Sequence, residues 1–520
     1  MGVTCELAKR KIMLIKTQKE NFYLLAPGIP QVLLLHPILA YLIKLYESGV
    51  DLKNWINSFK SNYINFEGKK IKVEKDTIRY YYEYFMFLKE HNYFNSKKTV
   101  ELEKVRHYRA ENIKFYLANT DHISFEVTDS CNMKCVYCGY GELYNGYDKR
   151  RGKKLSIKIG KNVIDYIMAL KKEYFPFIKT HRKIAVSFYG GEPLLNFSFI
   201  KEMVDYVKGI KLPTLSFIFS ITTNGTLLDK YMDFLVDNNF LLLISLDGNK
   251  ENNEYRIFPD HTPSYEIVYN NALRLKNRYP EYFEKFVNFI SVIHNKNSPY
   301  QVLKYFKETF NKRPIVLGLS GVGIKPEKRK DYEKIKRKTI DTEIKEIPIY
   351  YKDIKLSEMP KLKGIEAFIK AYSGCVYDNI NSFLYNKDNI NYITTGTCNP
   401  FEKKVFITVN GKIFPCERIM HKYYCGRIEK EKINLDFQEI ADKYNKYYKK
   451  MAKLCNNCYN NELCGQCIFQ LNLEEKRVRC DNFLNYNDFL EKSSFVISLL
   501  EEMPKLYKRI MRNIEIESEI

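Results

Sequence analysis

The stretch from His122 to Cys138, HISFEVTDSCNMKCVYC, joins an apolar segment to a group of cysteines. Residues 123–128 are a predicted β-strand, and the chain then runs directly into a loop that carries Cys131, Cys135 and Cys138. Three thiolates with no fourth cysteine nearby are one too few for a closed structural zinc site, which takes four ligands. They suit a cubane iron–sulfur cluster that leaves one iron open.

A regular alternation of strands and helices surrounds this loop. Further strands are predicted at residues 184–189, 215–222, 240–247, 286–293 and 315–320, with helical stretches between them. Repeated βα units predict an α/β fold with a parallel sheet and right-handed crossovers, either open or closed into a barrel. In such folds the active site lies at the C-terminal ends of the strands.

Short polar motifs stand at these strand ends. Taken singly, each also fits an ordinary turn. The motifs are Gly190-Gly191-Glu192-Pro193, Thr223-Asn224-Gly225, Ser245-Leu246-Asp247-Gly248 and the later Arg256. Their order on successive strands, after the loop with three cysteines, resembles the radical SAM superfamily.

The resemblance implies a partial (β/α)6 barrel and a set of cofactor contacts. In that family the open iron of a 4Fe-4S cluster binds S-adenosylmethionine (SAM), which is cleaved to a 5'-deoxyadenosyl radical. Tyr137 would lie near the adenine, and the Gly-Gly-Glu-Pro motif would contact the amino group. Ser245 and Arg256 would lie near the carboxylate and ribose. The full predicted set for SAM is Tyr137, Gly190, Gly191, Glu192, Pro193, Thr223, Asn224, Ser245, Asp247 and Arg256.

Eight cysteines lie between residues 397 and 480, and seven of them, all but Cys425, form the second group. Paired C-x2-C segments are a common zinc signature, so this segment taken alone fits a zinc ribbon equally well. Behind a radical SAM core its order resembles the SPASM domain, which holds two auxiliary 4Fe-4S clusters. One departure is that Gly465 and Gln466 are two residues where the family usually has three. By analogy the outer cluster takes Cys455, Cys458, Cys464 and Cys480, and the inner cluster takes Cys398, Cys416 and Cys467.

The inner cluster is thereby left with three assigned ligands. Either Cys425 completes it or one iron stays open for substrate, and the open site is the preferred interpretation. Glu417, directly after Cys416, stands where some SPASM enzymes carry a catalytic acid. A solvated surface glutamate is the alternative at that position. Cys5 and Cys375 stand apart and are expected to be packing residues.

The first hundred residues carry no cysteine group and predict a small α+β, winged-helix-like unit. A strand at residues 21–25, a turn at 26–30, helices at 39–46 and 76–88, and a short β segment at 70–74 resemble precursor-recognition domains of peptide-modifying enzymes. In these domains a leader peptide adds a strand to a sheet edge. An accessory fold that stabilises the barrel is the alternative. The predicted divisions are 1–110, 111–324 for the core, 325–396 as a bridge, 397–482 for the cysteine-rich domain and 483–520 as a closing helix.

Composition excludes several classes of protein. Hydrophobic residues are 45% and charged residues 28% of the 520 residues, so the chain is neither collagen-like nor mostly disordered. The longest apolar stretch, residues 32–43, is too short to cross a bilayer, and no secretory signal is visible, which predicts a cytoplasmic protein without a membrane partner. The net charge of +22 comes from lysines spread along the whole chain, which argues against a nucleic-acid partner.

These features together predict a radical SAM/SPASM peptide maturase. The expected reaction is hydrogen abstraction from a ribosomally made precursor peptide, giving a crosslink or a related side-chain modification. The expected electron donor is a small redox protein such as a flavodoxin or ferredoxin. The alternatives are a sulfatase-maturing, formylglycine-forming enzyme and a non-catalytic iron–sulfur or zinc protein.

Overall fold

The computed structural model describes residues 12–26, 31–94, 107–174, 182–211, 215–337, 360–372 and 395–513. Most of the predicted bridge, the turn at 27–30, and both isolated cysteines, Cys5 and Cys375, lie outside these residues. The described part of the chain forms an N-terminal unit, a barrel of parallel strands, a cysteine-rich tail and closing helices.

The N-terminal unit, residues 12–94, combines an antiparallel three-stranded sheet with helices and a two-stranded hairpin. The sheet has the order β1-β2-β3, and the hairpin pairs β4 with β5. Leucines and isoleucines of β2 and α1 are buried together beneath the sheet, which fixes the helices on one face of it. The elements are β1 (Met13–Lys16), β2 (Phe22–Ala26), β3 (Gln31–Leu35), α1 (Pro37–Glu47), α2 (Leu52–Ser58), β4 (Tyr63–Phe66), β5 (Lys69–Lys72) and α3 (Lys75–Glu90).

The barrel is built from six parallel strands that pair in chain order. Its strands are largely apolar because helices cover their outer faces. The strands are β6 (His122–Thr128), β7 (Arg182–Gly190), β8 (Leu215–Thr223), β9 (Leu241–Ser245), β10 (Val287–Ile293) and β11 (Ile315–Gly318). The helices are α4 (Ala110–Asn119), α5 (Ile157–Glu173), α6 (Phe197–Lys208), α7 (Leu228–Asp237), α8 (Tyr265–Arg278), α9 (Pro280–Phe286), α10 (Pro299–Phe310) and α11 (Arg329–Ile335).

The cysteine-rich tail continues the barrel sheet, which the sequence did not predict. β12 (Val405–Ile407) pairs in parallel with β6, and β13 (Lys412–Phe414), β14 (Gly426–Glu429) and β15 (Lys432–Asn434) extend the sheet antiparallel to a total of ten strands. Because β12 lies directly beside β6, the tail adjoins the strand that leads into the three-cysteine loop. The long helix α13 (Phe437–Cys455) then packs on α4.

The closing helices tie the N-terminal unit to the rest of the chain. α12 (Pro360–Tyr372), α14 (Tyr486–Glu502) and α15 (Pro504–Asn513) bury one apolar core together with residues of β1 and β2. Three hydrogen bonds from α14 reinforce this core. Ser494 Oγ donates to the Lys16 carbonyl (2.5 Å), Tyr486 Oη donates to the Ile12 carbonyl (2.8 Å), and Ser498 Oγ accepts from the Gln18 amide (3.0 Å).

The six barrel strands lie within two residues of the predicted positions at almost every end. β9 ends at Ser245, two residues before the predicted end, so that Leu246 and Asp247 belong to the loop after it. In the N-terminal unit the predicted strand at 21–25 corresponds to β2, and the predicted helices at 39–46 and 76–88 correspond to α1 and α3. β3 was missed because its residues lie in an apolar run that continues into α1.

Candidate functional site

The cluster loop, residues 129–147, leaves the C-terminal end of β6 and carries the three cysteines. Neighbouring backbone fixes its path, because the Lys134 amide donates to the Ile257 carbonyl (2.7 Å) and the Val136 amide donates to the Tyr255 carbonyl (3.0 Å). The loop is therefore held against the segment that follows β9. It presents its thiols to the inside of the barrel mouth rather than to solvent.

The thiols of the cluster loop lie close enough to affect one another's ionisation. Burial raises the pKa of Cys135 to about 12, Cys138 and Cys131 add to the rise, and Arg256 opposes it. Burial also raises the pKa of Cys131. Bound iron would reverse this preference, because a metal ligates the thiolate form.

A second guanidinium completes the positive surroundings of the cysteines. Arg150 Nη2 lies 3.3 Å from Cys138 Sγ, and its Nε is buried with no hydrogen-bond partner among the described residues. On the other side, Asn224 Nδ2 lies 3.9 Å from Cys131 Sγ. Three thiols with cationic and amide donors around them, at the wall of a cavity, fit an anionic iron–sulfur cluster that is open on one side.

The glycines of the strand-end motif let backbone pass directly beneath the cluster loop. A Cβ on Gly191 would lie 2.0 Å from the Ser130 carbonyl oxygen, and one on Gly190 would lie 2.3 Å from the Thr128 oxygen. Gly190 also has a φ of +144°, which side-chain-bearing residues rarely adopt. The Gly191 amide also donates a hydrogen bond to the Thr128 carbonyl (2.9 Å), which holds the two backbone segments together. No other residue fits these two positions without moving the loop.

Glu192 points into the protein rather than into the cavity. Its carboxylate accepts from Thr223 Oγ1 (2.7 Å), from the Asn224 amide (2.7 Å) and from the Leu194 amide (3.1 Å). Burial raises the pKa of Glu192 to about 7, and these hydrogen bonds oppose the rise. The residue thus joins the end of β7 to the end of β8 and positions Asn224 beside Cys131.

Asp247 is the centre of a second buried network. Tyr137 Oη donates to its carboxylate, Arg256 Nε lies 3.3 Å from it, and the Val292 amide donates to it at 2.9 Å. His294 Nε2 lies 3.7 Å away. Burial raises the pKa of Asp247, but Arg256 and the hydrogen bonds outweigh this, and the net effect is a lowered pKa. The network fixes Tyr137 and Arg256 at the cavity wall.

One cavity of about 1230 Å³ occupies the barrel and joins these groups. It extends from the cluster loop to residues at the N-terminal strand edge such as Leu241 and Phe286. Of the predicted site residues, Glu192, Pro193 and Asp247 do not line it, nor do the tail cysteines. Those that line it are Cys131, Cys135, Cys138, Tyr137, Gly190, Gly191, Thr223, Asn224, Ser245, Arg256 and Glu417.

Glu417 lies at the side of the cavity formed by the tail. Lys404 Nζ, at the approach to β12, lies 3.2 Å and 3.0 Å from its two carboxylate oxygens. Burial raises the pKa of Glu417, but Lys404 and Arg418 outweigh burial, and the net shift is downward. The carboxylate is therefore held ionised by a partner that the sequence analysis did not identify.

Two half-buried tyrosines line the cavity together with Glu417, namely Tyr147 at the end of the cluster loop and Tyr189 in β7. Burial raises the pKa of Tyr147 to about 12, and the negative charges at Cys416, Glu417 and Cys138 add to the rise. Burial also raises the pKa of Tyr189, and the negative charges at Glu417 and Cys138 add to that rise. A substrate group placed beside these two rings would contact both the cluster loop and the Glu417 side of the cavity.

The barrel lumen below these groups is polar. Ser187 lies between Ser124 and Ser220 in the strand register, and its hydroxyl is hydrogen-bonded to the hydroxyl of Ser220. His122 Nε2 lies 2.5 Å from Ser187 Oγ. Burial lowers the pKa of His122 to about 4, and Lys404 adds to this effect. Lone serines and a lone histidine carry no motif, so the sequence analysis missed them.

Several tail cysteines have other cysteines among their electrostatic neighbours. Cys455 lies within electrostatic range of Cys458, Cys464 and Cys480, and Cys467 lies within range of Cys398. The neighbours of Cys416 that affect its ionisation are Glu417, Lys404 and Arg418. Among the described residues, no three His, Cys, Asp or Glu side chains converge as ligands of a single metal ion. The ligand assignment stays a prediction.

The remaining tail cysteine, Cys425, is half-buried beside Lys443 and Tyr444. Burial raises the pKa of its thiol to about 12, and both neighbours oppose the rise. Tyr444 also lies within electrostatic range of Cys467. This ring therefore lies next to both thiols.

Comparison with known proteins places these features in a family. Residues 125–306 match the Radical SAM superfamily. The chain is 24% identical over 317 residues to the cysteine-type anaerobic sulfatase-maturating enzyme of Clostridium novyi, covering 58% of this chain and 75% of that one. It is 26% identical over 363 residues to the radical SAM cyclopropyl synthase TigE of Paramaledivibacter caminithermalis, covering 66% of each.

Among solved structures, Streptococcus suis SuiB bound to S-adenosylmethionine matches 89% of this chain and 94% of its own, with 16% identity and a TM-score of 0.40. No helix in the described part of the chain is long and apolar enough to cross a membrane.

Proposed function

The chain belongs to the radical SAM/SPASM family, and we propose that it uses the SAM-derived radical to abstract hydrogen from a ribosomally made peptide, installing a crosslink or a related side-chain modification. One observation carries the proposal. A single cavity connects the three cysteines of the cluster loop to the ion pair of Glu417 and Lys404 in the tail. A substrate in this cavity would lie between the site of radical formation and a carboxylate able to take a proton.

The residues around the cluster loop are arranged to hold an anionic cluster and a zwitterionic ligand. When bound, the 4Fe-4S cluster and SAM supply the electron and the 5'-deoxyadenosyl radical. Arg150 and Arg256 balance the negative charge of the thiolates, and the Gly190–Gly191 backbone leaves room for close approach. Asn224, held by Glu192, offers its side-chain amide beside Cys131.

The tail side of the cavity provides the proton-handling groups. Glu417 is ionised and fixed by Lys404, so it is ready to accept a proton from a substrate that has lost a hydrogen atom. The rings of Tyr147 and Tyr189 restrict the space next to it. Substrate is thus positioned by aromatic walls and deprotonated by a preformed carboxylate. The one electron then left on the substrate would be taken up by an auxiliary 4Fe-4S cluster held by the tail cysteines.

The N-terminal unit offers a place to bind a leader peptide. β3 is an outer strand of its sheet, and among the described residues it pairs with β2 alone. Leu34 on this strand is 64% exposed. The opposite outer strand, β1, is occupied by α14. A peptide strand added to β3 would be held at a fixed place relative to the barrel, raising the local concentration of the segment to be modified.

Hydrogen transfer from peptide to cofactor tests this proposal. The reconstituted enzyme is incubated anaerobically with SAM, dithionite and, one at a time, any short peptides that neighbouring genes encode, with deuterium in the peptide side chains. We expect deuterium in 5'-deoxyadenosine and a peptide that has lost hydrogen. Formation of 5'-deoxyadenosine with no deuterium from any encoded peptide would refute the peptide assignment and leave SAM cleavage in place.

Sulfatase maturation is the second candidate, because relatives from Clostridium and Bacteroides carry the name of sulfatase-maturating enzymes. The same assay distinguishes it. A peptide with a sulfatase-type Cys or Ser site is supplied in place of the encoded precursor, and its mass spectrum is searched for an aldehyde. Formylglycine on that peptide, together with an unmodified precursor, would favour this candidate.

A further inference from the structure

A strongly basic surface lies outside the cavity, around α11. We define the α11 basic face as Arg329, Lys330, Lys334, Lys336 and Arg337. These side chains, with Glu333 and Asn295, surround a shallow depression of about 840 Å³. Arg329 is 55% exposed and Lys334 is 76% exposed. The site therefore presents cationic side chains to solvent over the length of a short helix.

Local carboxylates do not neutralise this face. Residues 325–337 contain seven Lys or Arg and three Asp or Glu, a net charge of +4. Arg329 pairs with Glu333 at 3.5 Å, and Lys334 pairs with Asp331 at 3.3 Å. Exposed pairs of this kind are weak and screened by solvent, so they do not cancel the field of the excess cations.

The inner side of the same segment packs on the cluster loop. Tyr332 of α11 shares a buried core with Tyr137, Leu143 and Tyr144. Backbone hydrogen bonds join the two segments, from the Lys325 amide to the Leu143 carbonyl (3.0 Å) and from the Asn145 amide to the Gly323 carbonyl (2.8 Å). Tyr144 lies within electrostatic range of the Cys138 thiol. Only one layer of side chains separates the basic face from the loop that carries the cysteines.

We propose that the α11 basic face is the docking surface for an acidic one-electron donor protein. This inference rests on the proposed function, which requires an electron at the cluster loop before SAM is cleaved. The reduced donor loses one electron and the oxidised cluster gains it, with no bond made or broken. Electron transfer falls steeply with distance, and between this face and the cluster loop lies the packed layer that contains Tyr332 and Tyr144. A nucleic acid would gain nothing from that position.

The test compares variants that remove the positive charges of the α11 basic face with variants that keep them. The triple variant Arg329→Gln, Lys330→Gln, Lys334→Gln removes three charges, and Arg329→Lys, Lys330→Arg, Lys334→Arg keeps them. The matched control, Lys201→Gln, Lys230→Gln, Lys304→Gln, removes three exposed charges from α6, α7 and α10 on the outside of the barrel. The probe is a purified acidic flavodoxin, and its Kd for each reconstituted enzyme is measured at two salt concentrations.

We expect the neutralised α11 variant to raise the Kd about tenfold and to lose most of its salt dependence, because charges at the rim of an interface act through long-range attraction. The charge-conserving variant and the α6/α7/α10 control should bind as the native enzyme does. Reduction of the cluster by the flavodoxin, followed by loss of its visible absorbance, should slow in the neutralised variant alone. Circular dichroism checks that each variant is folded.

Three outcomes would overturn the inference. Equal weakening by the α11 and control triples would show a general charge effect, and unchanged flavodoxin binding in the α11 variant would place the donor elsewhere. Tighter binding of duplex DNA or ATP than of flavodoxin at this face would assign it to another ligand. Dithionite-driven SAM cleavage is measured in parallel. Its absence from the native enzyme would refute the proposed function, whereas its persistence in a variant that cannot bind flavodoxin leaves that function intact.

Discussion

The cluster end of the barrel and the N-terminal unit are stabilised in opposite ways. At the cluster end, buried acids such as Glu192 and Asp247 are satisfied by fixed donors, and Gly191 touches backbone with no space for a methyl group. The N-terminal unit has an ordinary apolar core and exposes Leu34 (64%) and Tyr80 (62%). The cluster end therefore leaves little room for substitution, whereas exposed residues of the N-terminal unit are under no such packing constraint.

Loss of the three cysteines of the cluster loop should have the largest effect. The triple variant Cys131→Ala, Cys135→Ala, Cys138→Ala should form no 5'-deoxyadenosine above background, because no ligand remains for the SAM-binding cluster. Iron content should fall by about one third, since two of three four-iron clusters would remain. Cys425→Ala makes the same change at another half-buried thiol and should retain SAM cleavage. Retained cleavage in the triple variant would contradict the assignment of the core.

The second largest effect is expected from adding a single methyl group at Gly191, where the backbone contacts the cluster loop. Gly191→Ala places a Cβ against the Ser130 carbonyl and must shift the cluster loop. We expect a loss of about 2–4 kcal/mol in the free energy of unfolding and a fall of about 100-fold in the rate of SAM cleavage. Denaturant unfolding and product assays measure the two effects. Gly364→Ala in α12, where nothing lies within 4 Å of the new Cβ, should change neither rate nor stability in this way.

A substitution on strand β3 of the N-terminal unit should have a smaller effect, on the affinity for the proposed leader peptide. Leu34→Glu places a charge on the exposed face of β3, and we expect the Kd for the leader peptide to rise about tenfold. SAM cleavage without peptide should stay at the native rate. Tyr63→Glu, on the separate β4–β5 hairpin and 42% exposed, serves as the matched control. Equal binding by both variants would show that the leader docks away from β3.

The smallest expected effect is a pH dependence of stability from His122. Burial and Lys404 lower its pKa in the folded protein to about 4. The unfolded chain has the ordinary value near 6.5, so between these values it binds a proton that the folded chain does not. Stability from this residue is complete above about pH 6.5 and is lost as the pH falls towards 4, by about 1–3 kcal/mol in all. His122→Gln should flatten this part of the unfolding curve, and parallel curves would contradict the assignment.

Strand positions and strand-end motifs were accessible from the sequence because both are local. Apolar strands of four to nine residues separated by amphipathic helices form β6 to β11. The turn motifs sit where parallel strands end, and all parallel strands end at the same edge. Eleven predicted site residues consequently line one cavity.

The orientation of individual acids was not accessible in the same way. Glu192 and Asp247 stand in motifs expected to touch SAM. The Glu192 carboxylate instead accepts hydrogen bonds from Thr223 and Asn224. The Asp247 carboxylate accepts one from Tyr137 and pairs with Arg256. A sequence pattern places a residue at a strand end. Which of its neighbours satisfies a buried charge depends on packing around it.

The sequence by itself determined the order of parallel strands, the three thiols of the cluster loop and the glycines beneath them, since each follows from spacing along one short segment. Only the tertiary structure decided that β12 pairs with β6, that Lys404 holds Glu417, and that α11 lays its cations over the cluster loop. The physical reason is the large separation along the chain between the residues that meet. Strand pairing across 280 residues and an ion pair between isolated side chains depend on how whole elements pack, and no local pattern of residues records that outcome.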